Sequence, residues 1–257
     1  MATRPADVVL TRDIGVPMRD GVVLRGDLYL PVGDGPFPCL LQRTPYVKDY
    51  NPGIWVVCDP LKAAGAGFAV FIQDVRGRGI SDGEFTPFID EAADGVDTID
   101  WVSRQTWCDG RVAMHGSSYM AAAQWQAAKE RPAAFQASCD YYEGRSYRGG
   151  AFEIGALLGV SLNALGGGIA HRKIQRGELP KSAAREARTA VDQLVQLART
   201  PLAELRKTVL NDIAPFFFDW AERTDPGHEY WRELDLTGRH QDIHIPVFHL
   251  SSWFDQA

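Results

Sequence analysis

The segment Val112-Ala-Met-His-Gly-Ser-Ser-Tyr-Met-Ala121 constrains the fold of this chain more than any other feature. A short apolar strand runs through a sharp turn directly into a helix-forming stretch, and Ser118 lies at the apex of the turn. Such a turn lifts a serine hydroxyl clear of the backbone, and it aims the following N–H and the start of the helix at a substrate oxyanion. The pattern predicts a nucleophilic serine between a strand and a helix.

Taken alone, this motif leaves two interpretations open. Gly116 stands two positions before Ser118, as a nucleophile elbow requires, but Met120 occupies the place where the GxSxG pattern has its second glycine. A serine that precedes a helix is also an ordinary N-cap. Ser117 is a rival nucleophile, although no glycine stands two positions before it.

Strand and helix patterns alternate around the motif. From residue 141 to about 240 the pattern changes to helices and loops, and 245–250 predicts a further strand. This order favours an α/β fold with a mostly parallel sheet, whose core comprises 1–140 and 241–257 and whose helical insertion comprises 141–240. Before the insertion, strands are predicted at 8–17, 22–30, 37–42, 68–73 and 111–115, and helices at 59–66, 91–104 and 121–130.

Composition excludes several classes of function. The 257 residues carry a net charge of −6, which gives no general attraction to nucleic acid or to anionic membranes. No stretch approaches the roughly 18 apolar residues of a membrane span, and the first residues contain no apolar segment long enough for a signal peptide. We therefore expect neither a nucleic-acid partner nor a membrane partner; the oligomeric state is left open.

The four cysteines are scattered and form no CxxC pair, so they predict no metal site and no redox motif. Free, buried thiols are typical of a reducing compartment, which favours a cytoplasmic location. The positions are Cys39, Cys58, Cys108 and Cys139.

Three further segments extend the case for the serine. Gln42-Arg-Thr-Pro-Tyr46 follows one predicted strand, Asp74-Val-Arg-Gly-Arg-Gly-Ile-Ser-Asp-Gly83 follows another, and Ser251-Ser-Trp-Phe-Asp255 follows the last. Together with the segments 18–21 and 107–111, the chain resembles the CocE/NonD hydrolase family, which includes cocaine esterase, α-amino-acid ester hydrolases and Xaa-Pro dipeptidyl-peptidases. The resemblance runs from about Val8 to Asp255 and is loose over 141–240.

The resemblance implies an α/β-hydrolase fold with an inserted helical cap and a serine hydrolase that needs no cofactor. Ser118 would be the nucleophile, and Asp255 would be the acid that orients the catalytic histidine. The Tyr46 hydroxyl and the Tyr119 N–H would hold the oxyanion. Ala121 departs mildly from the family, which has glycine three positions after the serine.

The loop Asp74-Val-Arg-Gly-Arg78 is expected to have a structural role and not a catalytic one. Its two arginines and its carboxylate predict an ion-paired loop that braces the floor of the site. No catalytic role is expected for Asp74, Arg76 or Arg78.

The substrate class depends on the segment after residue 139. Family branches use acidic residues to bind a free α-amine, or aromatic residues to bind an aryl ester, and this chain has both. Asp140 and Glu143 are candidates for the first role, and Tyr141, Tyr142 and Tyr147 for the second. An alternative is that these side chains are solvated loop residues. The small-molecule substrate therefore stays open between an aryl ester, an α-amino ester and an Xaa-Pro amide.

The histidine of the triad has no evident position. In this fold the triad runs Ser, then Asp or Glu, then His, yet all six histidines precede Asp255. We therefore expect a C-terminally incomplete chain that lacks the base, the last core strands and the family's β-sandwich domain, and that has little activity alone. The alternative is a non-catalytic, degenerate hydrolase fold that serves as a binding module.

Overall fold

The computed structural model describes residues 7–49, 58–141, 169–183, 185–186, 201–208, 210–223, 225 and 227–250. The chain divides into two compact units. The first comprises Met1–Arg145 with Leu236–Asp255, and the second comprises Ser146–Asp235 with Gln256–Ala257.

The first unit is built on one sheet, in which the described strands follow the order β1-β2-β4-β3-β5-β6-β7. β1 and β2 are antiparallel, β2 and β4 are antiparallel, and the pairs from β4 to β7 are parallel. The strands are β1 (Val8–Pro17), β2 (Val23–Pro31), β3 (Phe37–Thr44), β4 (Ala69–Asp74), β5 (Cys108–Ser117), β6 (Phe135–Tyr141) and β7 (Val247–Leu250).

Three helices of the first unit connect these strands: α1 (Pro60–Gly65), α2 (Glu91–Ser103) and α3 (Tyr119–Ala128). Helix α1 begins at Pro60 because Asp59 caps it, accepting hydrogen bonds from the N–H groups of Leu61 and Lys62.

The interior strand β4 is buried along its whole length, which is typical of a strand covered on both faces of a sheet. Its alternate residues belong to two different apolar clusters. Ala69 and Phe71 pack with residues of α2 and α3, whereas Val70 and Ile72 pack with Ala64 of α1. The sheet is therefore a layer between helices.

The second unit is helical where it is described. Apart from a helical segment at 169–175, its helices are α4 (Leu202–Leu205), α5 (Leu210–Ile213), α6 (Pro215–Glu222) and α7 (Glu229–Leu234). Several of its apolar residues are buried, including Phe218, Trp220 and Trp231. No helix in the described ranges is long and apolar enough to cross a membrane.

The mostly parallel sheet with helices is confirmed, and the strands predicted up to residue 115 all form, β1 with the predicted bounds and the other four with one or both ends shifted. Strand β6 was not predicted; it pairs with β5 through residues such as Ala113 with Ala137. Because β3, β4 and β5 are parallel, the segments that follow Thr44, Asp74 and Ser117 meet at one edge of the sheet.

Candidate active site

Ser118 lies in the sharp turn between β5 and α3. Its backbone has φ 54° and ψ −124°, a sparsely populated conformation that residues other than glycine rarely adopt. Strain of this kind costs on the order of 1–3 kcal/mol and persists where the surrounding structure holds it. The side chain is only half-buried, so its hydroxyl stands at the surface of the turn.

Gly116 makes this turn possible and also explains why Met120 is tolerated. Gly116 has φ 147°, and a Cβ atom placed on it would lie 2.5 Å from the Cβ of Met120. Real Cβ atoms do not approach so closely, hence only one of the two positions can carry a side chain. In this chain that position is Met120, which is buried.

Two hydrogen-bond donors converge on Ser118. The Tyr46 hydroxyl, from the turn after β3, donates to Ser118 Oγ across 3.4 Å. The Tyr119 N–H, at the first position of α3, makes no hydrogen bond within the described part of the chain. The first N–H groups of a helix lack intrahelical acceptors, so this one is available to an anion.

The side chain of Tyr119 is anchored beneath the turn. Its hydroxyl donates to Glu91 Oε1 and accepts from the Phe88 N–H, each across 2.9 Å. Its ring stacks on Phe88 with the ring centres 4.4 Å apart. Burial raises the pKa of the Tyr119 phenol well above its usual value, so the group stays neutral. Only the backbone of Tyr119 was predicted to have a role, and this side-chain anchor was not predicted.

A buried ion pair holds Glu91 in turn. Arg43, at the end of β3, has no solvent exposure and donates from Nη1 to Glu91 Oε2 across 2.5 Å. Arg43 Nε also donates to Gln73 Oε1 on the neighbouring strand. Burial raises the pKa of Glu91, and the positive charge of Arg43 works in the opposite direction. The sequence signal for this network was an arginine directly after the apolar run 37–42.

Replacing Arg43 by methionine is expected to destabilise the protein by about 3–5 kcal/mol, because it leaves the Glu91 carboxylate buried without its partner. The matched control is Arg19→Met, which removes the exposed Arg19–Asp97 ion pair and should cost at most about 1 kcal/mol. Urea unfolding followed by tryptophan fluorescence measures both. Equal destabilisation by the two substitutions would contradict this account of the network.

The loop after β4 braces the site through contacts with other elements. Arg76 pairs with Asp94 of α2 across 2.6 Å and with Asp20 across 2.7 Å. Arg78 donates from Nε to the carbonyl oxygen of Pro45. The ion pairs predicted for this loop are present at Arg76, whereas Asp74 forms no ion pair with either arginine.

None of the six histidines, all of which lie in the described ranges, hydrogen-bonds to Ser118 Oγ. His115 belongs to β5, three positions before the serine, and its ring is buried in the fold as predicted. His249 stacks on Trp125, and His240 meets the edge of the same indole. His171 and His228 belong to the second unit.

The buried ring of His115 predicts that the free energy of unfolding decreases at acid pH. His115 is 5% exposed, neither ring nitrogen has a hydrogen-bond partner in the described structure, and burial lowers its pKa to about 4. Because this pKa lies below the value of about 6.5 in an unfolded chain, the stabilising effect of the neutral ring is present above pH 6.5 and is lost towards pH 4.

Between pH 7 and pH 4, the wild type is therefore expected to lose about 3 kcal/mol more unfolding free energy than His115→Leu. Urea titrations at both pH values make the comparison, with His244→Leu at an exposed position as the control. Parallel losses in the wild type and His115→Leu would show that His115 does not titrate in this range.

Four of the remaining predicted site residues lie outside the described residues: Asp255, the predicted acid, and Tyr142, Glu143 and Tyr147, predicted substrate contacts. The backbones of the other two candidates, Asp140 and Tyr141, form the end of β6. Within the described ranges, no cluster of three His, Cys, Asp or Glu side chains could hold a metal ion.

Comparison with known proteins places the chain in a family. A family model described as X-Pro dipeptidyl-peptidase (S15 family) matches residues 20–257. Cocaine esterase of Rhodococcus sp. (strain MB1 Bresler) is 37% identical over 252 residues, which cover 95% of this chain and 43% of that protein. The chain thus spans less than half the length of this curated relative.

Solved structures agree on the fold. A CocE/NonD family hydrolase from Staphylococcus aureus has a TM-score of 0.52 and 27% identity, covering 56% of this chain and 29% of that one. An α-amino acid ester hydrolase has a TM-score of 0.65 and 19% identity, covering 100% of this chain and 44% of that one. The resemblance to CocE/NonD hydrolases and the α/β-hydrolase fold are confirmed, and the chain belongs to the X-Pro dipeptidyl-peptidase (S15) family of hydrolases.

Proposed function

We propose that the full-length gene product is a serine hydrolase that cleaves ester or amide bonds of small acyl substrates through an acyl-enzyme on Ser118. One observation carries the proposal. A half-buried serine in a strained turn has a phenol hydroxyl 3.4 Å from its Oγ and, at the next residue, an N–H without an acceptor. A nucleophile beside two donors is the arrangement that acyl transfer needs.

In the proposed mechanism, a base removes the Ser118 proton while Oγ attacks the substrate carbonyl carbon. The carbonyl oxygen gains negative charge, and the Tyr46 hydroxyl turns from Ser118 Oγ to that oxygen, where the Tyr119 N–H also donates. The bond to the leaving group breaks as that group takes a proton from the protonated base. Water then attacks the acyl-enzyme by the same route and releases the acid and Ser118.

The base is proposed to be a histidine outside these 257 residues. None of the six histidines of the chain hydrogen-bonds to Ser118, and the ring of His115 is buried with a lowered pKa. Asp255 is proposed to orient that histidine. The 257 residues alone are then expected to have little activity, and a burst of acylation on Ser118 by an activated ester in that chain would contradict this part of the proposal.

A panel of substrates tests the function and resolves its subtype. The purified full-length gene product is given aryl esters, α-amino acid esters and Xaa-Pro anilides, and a fluorophosphonate probe reports on the serine. Hydrolysis of one class with stoichiometric labelling is expected. A folded protein that hydrolyses none of the three classes and takes up no probe would instead support the non-catalytic binding module.

A further inference from the structure

The turn that carries Tyr46 is held at both ends by contacts with the loop after β4. The Val75 N–H donates to the Thr44 carbonyl oxygen, and Arg78 Nε donates to the Pro45 carbonyl oxygen. At the far end of the turn, the Lys48 N–H donates to Asp74 Oδ1 across 2.7 Å. Tyr46 thus lies in a short segment, 44–48, with fixed points on each side.

The turn also contains local strain. Val47, between Tyr46 and Lys48, has φ 68°. A β-branched residue in the left-handed region is a true outlier, and such a conformation persists only where neighbouring contacts hold it. If the contact at Lys48 were lost, the strain at Val47 would move the turn away from its present conformation.

Asp74 accepts the hydrogen bond from the Lys48 N–H although its carboxylate is buried. It is the last residue of β4 and is 1% exposed, it has no ion pair with Arg76 or Arg78, and its Oδ2 has no hydrogen-bond partner in the described structure. Burial raises the pKa of its carboxyl group to about 6. Burying a carboxylate with one oxygen unpartnered costs free energy. Stabilisation of the fold therefore does not explain why Asp74 accepts the hydrogen bond from the turn.

Lys48 fixes the turn from the opposite side. Its Nζ lies 2.9 Å from Asp27 Oδ1 on β2 and 2.7 Å from Asp13 Oδ1 on β1. The lysine is therefore held by its side chain on one sheet edge and by its N–H on Asp74. Between these two points the backbone has little freedom.

We propose that Asp74 is a positioning residue for catalysis: by holding the Lys48 N–H, its carboxylate fixes segment 44–48 and places the Tyr46 hydroxyl beside Ser118. The inference rests on the proposed function, since it assigns to Asp74 an effect that passes through Tyr46. A displacement of about 1 Å in such a group can lower a rate about 10²-fold.

Two substitutions at Asp74 separate the hydrogen bond from the charge. Asp74→Ala removes the acceptor and is expected to lower kcat about 10- to 100-fold with little change in KM. Asp74→Asn keeps an acceptor oxygen and is expected to stay within a few-fold of the wild type. If Asp74→Ala does not fold, Asp74→Ser replaces it, because its shorter side chain also cannot reach the Lys48 N–H.

A double substitution distinguishes positioning from general stability. In a Tyr46→Phe background, Asp74→Ala should lower kcat no further than about twofold, because the group it positions is already gone. Val102→Ala, in the buried carboxyl-terminal turn of α2, controls for destabilisation and should leave kcat unchanged. An equal loss from Asp74→Ala in both backgrounds would overturn the proposal.

A measurement that does not depend on catalysis tests the role of Asp74 independently of the proposed function. With 3-fluorotyrosine at position 46 of the full-length chain, the fluorine resonance should shift or broaden in Asp74→Ala and keep its wild-type position in Asp74→Asn. An unchanged resonance in both variants would overturn the role of Asp74. Absence of hydrolysis by the wild type, with the expected fluorine shifts, would overturn the proposed function alone.

Discussion

Replacing Ser118 by alanine is expected to lower ester hydrolysis by the full-length gene product on the order of 10⁴-fold or more. The substitution removes the only atom of the turn that the proposed mechanism joins to the substrate. It should leave the fold intact, because it deletes one half-buried oxygen and keeps the backbone of the turn. Initial rates with the best substrate of the panel, together with a thermal unfolding curve, measure both effects.

Ser117→Ala is the matched control for this prediction. The neighbouring serine ends β5 and is also half-buried, and the hydrogen bond from the Tyr46 hydroxyl goes to Ser118 instead. Its removal should change the rate no more than a few-fold. If Ser117→Ala abolished hydrolysis while Ser118→Ala retained it, the nucleophile would be assigned to the wrong residue.

Replacing Tyr46 by phenylalanine is expected to reduce kcat about 10²- to 10³-fold. The phenol is a neutral donor, and in the proposed mechanism its strongest interaction forms only when the substrate oxygen becomes charged. KM should therefore change little, since an interaction made mainly in the transition state lowers kcat and kcat/KM together. Steady-state kinetics over a wide substrate range give both constants.

The control deletes the same atom from a tyrosine elsewhere in the first unit. Tyr29 lies on β2, in the apolar cluster packed against α1. Tyr29→Phe should keep kcat within a few-fold of the wild type. A Tyr46→Phe enzyme with unchanged kcat and raised KM would make the phenol a substrate contact instead of an oxyanion donor.

The local part of the site could be predicted from sequence because it depends on neighbouring residues. Strand, turn and helix around Ser118 are where the pattern of apolar residues, glycine and alanine indicates them, although β5 extends beyond the prediction in both directions. The conflict between Met120 and the GxSxG pattern is resolved by Gly116 alone.

Strand β6 could not be predicted because its sequence, Phe-Gln-Ala-Ser-Cys-Asp-Tyr, has few of the residues that favour strands. Its position depends on pairing with β5 on one side and β7 on the other. Such pairing is a tertiary property and leaves little trace in local sequence.

Contacts between distant segments could not be derived from spacing either. Tyr46 and Ser118 are 72 positions apart, and only the family resemblance predicted that they act together. The hydrogen bonds of Arg43 with Glu91 and of Lys48 with Asp74 were not predicted, because the sequence does not show which charged residues lie close together in the fold. The ion-paired loop was predicted, but the partners of Arg76, which are Asp94 and Asp20 on other segments, were not.

The location of a covalent adduct tests the central claim most directly. The full-length gene product is labelled with a fluorophosphonate and digested with trypsin, and the peptide 112–129, which contains both Ser117 and Ser118, is sequenced by mass spectrometry. We predict one adduct per chain, on Ser118, and its loss in Ser118→Ala. An adduct on Ser117 or on another peptide, or ester hydrolysis without any adduct on 112–129, would contradict the assignment of Ser118 as the nucleophile.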